Sequence, residues 1–214
     1  MNKNIPDYIV VEGPIGVGKT SLAKQLGDTF NVEVILESAT ENPFLPAFYE
    51  NRRSSALPVQ LHFLFQRARQ IEDLLQTDMF RPVHIADFLI EKDRMFAKVN
   101  LSDAEYDLYQ QVYERLITKC PSPDLVIYLQ AKPEILLSRV LERGIEYERN
   151  IDIGYLKRIS DAYIDFFYHY NASPLLIINT ENFDLVNGRE NYNILVEYIS
   201  KLPPGRHYFN PQGL

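Results

Sequence analysis

The stretch GPIGVGKT at Gly13–Thr20 restricts the possible folds of this chain more than any other segment. It satisfies the pattern G-x-x-x-x-G-K-[ST], and it stands between an apolar run, YIVVEG (8–13), and a helical pattern over Ser21–Phe30. Glycines at this spacing let consecutive backbone N–H groups turn toward one phosphate, and the positive end of the helix dipole adds to the attraction. The stretch therefore predicts a phosphate-binding loop between a buried strand and a helix.

This loop is predicted to bind a nucleoside triphosphate together with Mg²⁺. Lys19 is expected to reach the β- and γ-phosphates, and the Thr20 hydroxyl is expected to bind Mg²⁺. The nucleotide is expected to contact nine consecutive residues, namely Gly13, Pro14, Ile15, Gly16, Val17, Gly18, Lys19, Thr20 and Ser21.

Apolar runs alternate with helical patterns along the rest of the chain. Strands are predicted within 8–13, 32–38, 81–87, 124–131 and 174–180, and the main helices within 21–30, 43–52, 58–77, 90–99, 102–119, 133–143, 152–170 and 189–201. Strands that are apolar throughout and separated by helices indicate a parallel sheet covered on both faces. We expect one α/β domain over 1–214, with a five-stranded parallel sheet flanked by helices and a loosely attached tail at about 203–214.

Composition narrows the range of partners and the cellular location. The formal net charge of −7 argues against a nucleic acid polymer or an anionic membrane as the main partner. No apolar run approaches the ~20 residues that a membrane span needs, and the N-terminal residues contain no apolar signal core. The single cysteine, Cys120, has no second thiol with which to form an internal disulfide. We expect a cytoplasmic protein.

Other P-loop protein classes carry motifs that this sequence lacks. A switch GTPase has D-x-x-G after its third strand and N-K-x-D for guanine, and neither occurs here. A motor ATPase has a strand that ends in Asp-Glu, whereas the candidate strand here ends HIADF. Helical insertions and arginines late in the chain fit a kinase that acts on a small molecule.

Five further segments follow the phosphate loop in a specific order and spacing: LESATENPFLPAFYE (36–50), VQLHFLFQRARQI, DFLIEKDRMFAKVNL, LERGIEYERNIDIGYLKRISDAYIDFFYHY and NTENF. With this set the sequence resembles the deoxynucleoside kinase family, in particular its bacterial deoxyadenosine/deoxyguanosine kinase branch. The resemblance extends from the phosphate loop almost to the last helix, and it implies a P-loop kinase fold.

The resemblance implies roles for residues that alone would be read as an ordinary polar surface. Glu37, just after the second strand, matches the base that accepts the proton of the nucleoside 5′-hydroxyl. Tyr49 and Glu148 match the pair that binds the sugar 3′-hydroxyl. Gln60 and Arg67 match the residues that contact the edge of the base, and their spacing of seven places them on one helical face.

Further matches follow the third strand. Asp87 resembles the acidic residue that helps to hold Mg²⁺, although Phe88 and Leu89 stand where the family commonly has Arg and Ser. Phe96 matches the aromatic residue that packs on the base. Asp93 is expected to partner Arg67, unless a shift of one residue places Lys92 there instead.

A lid is expected at about 139–150. Arg139 and Arg143 lie four apart on a helix and are expected to stabilise charge on the transferring phosphoryl group. Ile145 stands where the family often has another arginine, for which Arg149 is a possible substitute. Glu181 and Phe183, in TENF (180–183), match the loop that packs on the donor adenine.

Taken together, the resemblance implies ATP- and Mg²⁺-dependent phosphorylation of the 5′-hydroxyl of a deoxynucleoside in nucleoside salvage. Deoxyadenosine or deoxyguanosine is the expected substrate, deoxycytidine is a further candidate, and a homodimer is expected. A nucleoside monophosphate kinase of thymidylate kinase type is one alternative, but it needs cations for the acceptor phosphate, whereas 41–50 is acidic and aromatic. The other alternative is a nucleotide-binding regulator without catalytic activity. Such a protein would not need the carboxylates of Glu37 and Glu148.

Overall fold

The computed structural model describes residues 5–77, 84–181 and 188–210, and these ranges are built around one parallel sheet. Its strands are β1 (Tyr8–Glu12), β2 (Val34–Ile35), β3 (His84–Ala86), β4 (Leu125–Gln130), β5 (Leu175–Asn179) and β6 (Arg206–Phe209). Their order across the sheet is β2-β3-β1-β4-β5-β6, and every neighbouring pair is parallel. The predicted α/β architecture is confirmed.

Helices connect the strands. They are α1 (Lys19–Phe30), α2 (Leu45–Glu50), α3 (Arg52–Thr77), α4 (Lys92–Asn100), α5 (Asp103–Leu116), α6 (Pro133–Arg143), α7 (Ile153–His169) and α8 (Arg189–Ile199), with short 3₁₀ turns at Ala39–Glu41 and Glu146–Asn150. Within the described ranges no helix is both long enough and apolar enough to cross a membrane.

The centre of the sheet is buried on both faces. Ile9, Val10 and Val11 of β1 have no exposed surface, and the first five residues of β4 are all buried. Because consecutive strand residues point to opposite faces, a strand that is buried throughout has cover on both sides. A second apolar cluster, which includes Leu64 of α3 and Tyr109 of α5, holds the helices beyond the sheet together.

Helix α3 starts earlier than the sequence pattern indicates. The predicted helix starts at residue 58, but α3 begins at Arg52 and carries Pro58 inside it. An internal proline costs a backbone hydrogen bond. Burial of the neighbouring Ala56 and Val59, each 1% exposed, offsets that cost.

The C-terminal segment adds a sixth strand to the five predicted. Residues Arg206–Phe209, expected in a loosely attached tail, form β6 and pair in parallel with β5. Phe209 is buried, and the Arg206 guanidinium donates to the backbone carbonyls of Phe167, Tyr168 and Tyr170. The sequence RHYF has no apolar run, so only the edge of β5 explains why it is a strand.

This topology brings three loops together at one edge of the sheet. The segments that follow β1, β2 and β3 all leave from the carboxyl ends of adjacent parallel strands, where ligands of open α/β sheets bind. The phosphate loop, Glu37 and Asp87 stand on these segments, one on each.

Candidate active site

The phosphate loop connects the end of β1 to the start of α1, as predicted. Gly16 and Gly18 have φ angles of 82° and 104°, a conformation that residues with a side chain rarely adopt. A Cβ atom at Gly16 would lie only 2.7 Å from the Leu136 carbonyl oxygen, so the loop passes close against α6. Glycine is therefore required at these positions for the loop to adopt its phosphate-binding conformation.

Lys19, the first residue of α1, folds back over this loop. Its Nζ donates to the carbonyl oxygens of Gly13, at 2.7 Å, and Pro14, at 3.3 Å. Burial, together with the nearby charge of Lys92, lowers the pKa of Lys19. A bound phosphate can therefore replace these two carbonyl oxygens as the hydrogen-bond acceptor of the ammonium group.

Thr20 and Asp87 meet beside the loop. The Thr20 hydroxyl donates to Asp87 Oδ2 at 2.5 Å, and the Glu37 backbone N–H donates to Asp87 Oδ1 at 2.6 Å. Burial is the main influence that raises the pKa of Asp87. Mg²⁺ in kinase sites takes one or two protein oxygens and completes its shell with phosphate oxygens and water. A hydroxyl and a carboxylate at the phosphate loop fit that ion, and no group of three or more His, Cys, Asp or Glu side chains suited to a metal occurs in the described ranges.

Glu37 lies between two cations. Arg67 of α3 donates to Oε1 of Glu37, and Lys92 Nζ lies 3.2 Å from Oε2. Burial alone would raise the pKa of this carboxyl, but Arg67, Lys92 and Lys19 outweigh that effect and lower the pKa to about 2. Glu37 is therefore fully ionised at neutral pH.

The pairing of Arg67 is settled by the structure. Arg67 also forms an ion pair with Asp93, whereas Lys92 pairs with Glu37 and Glu12. Of Asp93 and Lys92, which the sequence leaves open, Asp93 is thus the residue that contacts Arg67, and Glu37 is a second partner of this arginine. Among the described residues, Arg67 Nε and Asp93 Oδ2 are buried without a hydrogen-bond partner. The pair can therefore form further hydrogen bonds with another polar group.

The predicted lid, at about 139–150, begins in the last turns of α6 and continues through the 3₁₀ turn Glu146–Asn150. Arg143 donates to Glu148 Oε2 at 2.5 Å, and the ring of Tyr147 stacks on Tyr49 with the ring planes 8° apart. Glu148 is 6% exposed. The lid residues therefore contact α2 and the predicted sugar-binding pair.

Arg139 takes a different position from Arg143. Its guanidinium donates to the hydroxyl and carbonyl oxygens of Thr180, at 3.0 and 2.6 Å, and reaches the Val17 carbonyl at 3.5 Å. It connects the segment after β5 to the phosphate loop. Glu181, next in the chain, pairs with Lys132. The predicted adenine contact Phe183 lies outside the described residues.

Most of the site residues described above line one cavity of about 270 Å³. The predicted site residues that line it are Ile15, Gly16, Lys19, Thr20, Glu37, Tyr49, Gln60, Arg67, Asp87, Asp93, Phe96, Arg143 and Glu148. Gly13, Pro14, Val17, Gly18, Ser21, Arg139 and Glu181 are not part of the lining. The cavity joins the phosphate loop to the pocket between α2, α3 and α4.

Sequence reasoning missed several lining residues, among them Phe63, Lys92 and Tyr147. A signal existed for Phe63, because it lies three residues after Gln60 and four before Arg67, on the same helical face. Phe65, two residues further on, is instead 46% exposed.

Residues 9–202 match the family model described as deoxynucleoside kinase. The chain belongs to the deoxynucleoside kinase family. It is therefore a nucleotide-binding transferase that phosphorylates deoxynucleosides to monophosphates, and this activity stands over the monophosphate kinase and regulator alternatives.

Relatives of this deoxynucleoside kinase cover nearly the whole chain. The deoxyguanosine kinase of Bacillus subtilis is 32% identical over 207 residues, with 93% of this chain and 99% of the relative covered. The deoxyadenosine kinase of Lactobacillus acidophilus is 29% identical, with 91% and 95% covered. A solved structure of deoxyadenosine kinase from M. mycoides with bound dATP has a TM-score of 0.77 at 22% identity, covering 89% of this chain and 99% of that one, which supports the fold.

Proposed function

We propose that this kinase transfers the γ-phosphoryl group of ATP, in the presence of Mg²⁺, to the 5′-hydroxyl of a purine deoxynucleoside. The observation that carries the proposal is the single cavity that places Lys19 and Thr20 of the phosphate loop beside Glu37 and the buried polar groups of α3 and α4. Phosphoryl transfer needs the donor phosphate and the acceptor hydroxyl to be held together in one site, and this cavity contains both phosphate-loop residues and a carboxylate.

The base of the nucleoside is proposed to bind among Gln60, Arg67, Asp93 and Phe96. Gln60, Arg67 and Asp93 are 5%, 3% and 1% exposed, so a base edge would meet polar groups already removed from water. The orphaned Arg67 Nε and Asp93 Oδ2 supply a donor and an acceptor. The names of the Bacillus and Lactobacillus relatives favour a purine, deoxyguanosine or deoxyadenosine, with deoxycytidine as a further candidate.

The sugar is proposed to bind at Tyr49 and Glu148. Both side chains line the cavity, and burial raises the pKa of the Tyr49 hydroxyl well above its ordinary value. Tyr49 therefore stays protonated and can donate a hydrogen bond to the 3′-hydroxyl oxygen. The Glu148 carboxylate accepts a hydrogen bond from the same hydroxyl group.

Glu37 is proposed to accept the proton of the 5′-hydroxyl. It is ionised, lines the cavity and lies on the segment adjoining Asp87 and the phosphate loop. Phosphoryl transfer passes through a loose transition state, so the attacking oxygen needs little prior deprotonation and a weakly basic carboxylate suffices.

The phosphate side of the reaction is assigned to the loop and the lid. Lys19 binds the β- and γ-phosphates after leaving the loop carbonyls, and Arg143 donates to oxygens of the transferring group. Thr20 and Asp87 hold Mg²⁺, which neutralises charge on the phosphates when bound. Arg139, bonded to Thr180, is proposed to support the phosphate loop and the base of the lid over 139–150.

We further propose a single-domain cytoplasmic enzyme that forms a homodimer through α3 and α5. Phe65, Leu75 and Leu108 on these helices are 46%, 43% and 49% exposed, and covering them with a second copy would remove apolar surface from water.

The deciding experiment incubates the purified chain with Mg·ATP and each of the four deoxynucleosides, and separately with dTMP and dGMP, with products identified by mass. We expect monophosphates, formed fastest from a purine deoxynucleoside. Glu37→Gln is expected to lower kcat by about 10²- to 10⁴-fold with little change in nucleoside binding. Glu41→Gln, at an exposed carboxylate nearby, is the matched control. Full turnover by the Glu37 variant would exclude Glu37 as the proton acceptor.

A further inference from the structure

Lys92 occupies an unusual place for a lysine. It is the first residue of α4, where the helix dipole disfavours a positive charge, and its side chain is 3% exposed. A buried lysine is costly unless carboxylates compensate for the lost water. Two do so: Glu37 Oε2 lies 3.2 Å from Nζ, and Glu12 Oε2 lies 3.4 Å from it.

Glu12 is itself fixed on every side. It has no exposed surface, and its Oε1 accepts from the Gly13 N–H at 3.0 Å and from the Tyr163 hydroxyl at 2.9 Å. Its Oε2 accepts from the Leu89 N–H at 2.9 Å. Lys92 therefore links Glu37 to a carboxylate that is rigidly attached to the first residue of the phosphate loop.

The segment after β3 supplies no cation of its own. Phe88 and Leu89, which follow Asp87, are 3% and 2% exposed and pack in the apolar core. Two cations from other segments lie beside Glu37 instead: Arg67 of α3 at Oε1, and Lys92, on the first turn of the next helix, at Oε2. Of these two, Lys92 is the one that also pairs with Glu12. Lys92 also lines the cavity that holds Glu37, Lys19 and Asp87.

We infer that Lys92 is the positioning residue for Glu37, holding its carboxylate in register with the phosphate loop through Glu12 for reaction with the acceptor hydroxyl. The inference rests on the proposed function, since it assigns a role within that reaction. An ammonium group has three N–H donors, and Glu37 and Glu12 are its two hydrogen-bonding or ion-pair partners among residues 5–77, 84–181 and 188–210. The third donor remains for an oxygen of a ligand.

The test compares Lys92→Met, Lys92→Arg and the control Lys98→Met, which removes an exposed lysine from the same helix. With deoxyguanosine and Mg·ATP, Lys92→Met is expected to lower kcat about 100-fold, the effect of a misplaced catalytic group, while the nucleoside KM changes by less than about threefold. Lys92→Arg is expected to recover at least about tenfold of the loss, and Lys98→Met to match the wild type. Lys92→Gln is carried alongside in case the methionine variant does not fold.

A double-mutant cycle with Glu37→Gln separates positioning from mere packing. If Lys92 acts through Glu37, its replacement costs little in the E37Q background, so the two losses in kcat do not add. Additive losses, an unchanged kcat in a folded Lys92 variant, or a raised KM with normal kcat would each overturn the inference. A wild-type chain that phosphorylates no deoxynucleoside would instead overturn the proposed function, whatever Lys92 does.

Discussion

Arg143 and Glu148 form an ion pair across a distance of 2.5 Å, with the arginine side chain 47% exposed and the glutamate side chain 8% exposed. The turn that allows this contact is made by Gly144, whose φ of 73° ends α6 in the left-handed conformation. A residue proposed to contact the phosphoryl group and a residue proposed to contact the sugar are thus bonded to each other. We expect the nucleoside and the triphosphate to compete with this ion pair for hydrogen bonds to the two side chains.

Removing the Glu148 charge is expected to weaken recognition of the 3′-hydroxyl. The wild type should prefer deoxyguanosine to 2′,3′-dideoxyguanosine, and Glu148→Gln should reduce that ratio of kcat/KM about tenfold, since a hydrogen bond to a charged group is worth about 1.5–3 kcal/mol. Competition kinetics with both nucleosides measure the ratio. Glu146→Gln, at an exposed carboxylate in the same turn, should leave it unchanged. An unaltered ratio in Glu148→Gln would remove this residue from the sugar site.

The contact between Thr20 and Asp87 leads to a prediction about metal dependence. Asp87→Asn keeps the shape of the side chain but removes the charge proposed to hold Mg²⁺. The Mg²⁺ concentration for half-maximal rate should rise at least about tenfold, in keeping with the loss of a metal ligand or its support. Thr20→Ser retains the hydroxyl and should stay close to the wild type. Equal Mg²⁺ curves for wild type and Asp87→Asn would contradict the assignment.

The pKa of Glu37 predicts a pH-dependent contribution to stability. Its folded pKa of about 2 lies below the ordinary value of 4.5, so its ion pairs stabilise the native state above pH 4.5. That contribution is lost as the pH falls toward about 2, because the unfolded chain takes up the proton first.

The difference in unfolding free energy between wild type and Glu37→Gln should therefore shrink on acidification, by about 1.4 kcal/mol per pH unit below the unfolded pKa. Urea denaturation at several values between about pH 6 and pH 3.5 covers the start of this window. Glu114→Gln, at an exposed position on α5, corrects for general effects of charge. A constant difference across this range would mean that Arg67 and Lys92 do not stabilise the Glu37 carboxylate in solution.

The parts of the site that the sequence predicts well are those encoded locally. The phosphate loop needs only a strand, its glycines and a helix start, and all of these stand within one short segment. Gln60 and Arg67 share a face because helical spacing dictates it. Asp87 is identified through the resemblance to the deoxynucleoside kinase family, and it lies directly after β3, at the edge of the sheet where the carboxyl ends of the parallel strands meet.

What the sequence did not predict depends on contacts between distant segments. Lys92 matters because Glu12, at the end of β1, and Glu37, just after β2, converge on it. The early start of α3 depends on burial that outweighs the effect of Pro58. The local sequence of residues 52–57 and the sequence around Lys92 contain no pattern that predicts these contacts with distant segments.

Strand β6 is the clearest case of structure set by its neighbour, and it gives a stability prediction. Phe209 is 5% exposed and packs in the main core, whereas Tyr208, beside it, is 68% exposed. Phe209→Ala should lower the free energy of unfolding by about 3–5 kcal/mol, the range for truncating a buried phenylalanine. Tyr208→Ala should change it by less than about 0.5 kcal/mol, as expected at the surface. Denaturant titration of both variants checks the pair, and equal small effects would show that the segment is the loose tail that its sequence alone suggests.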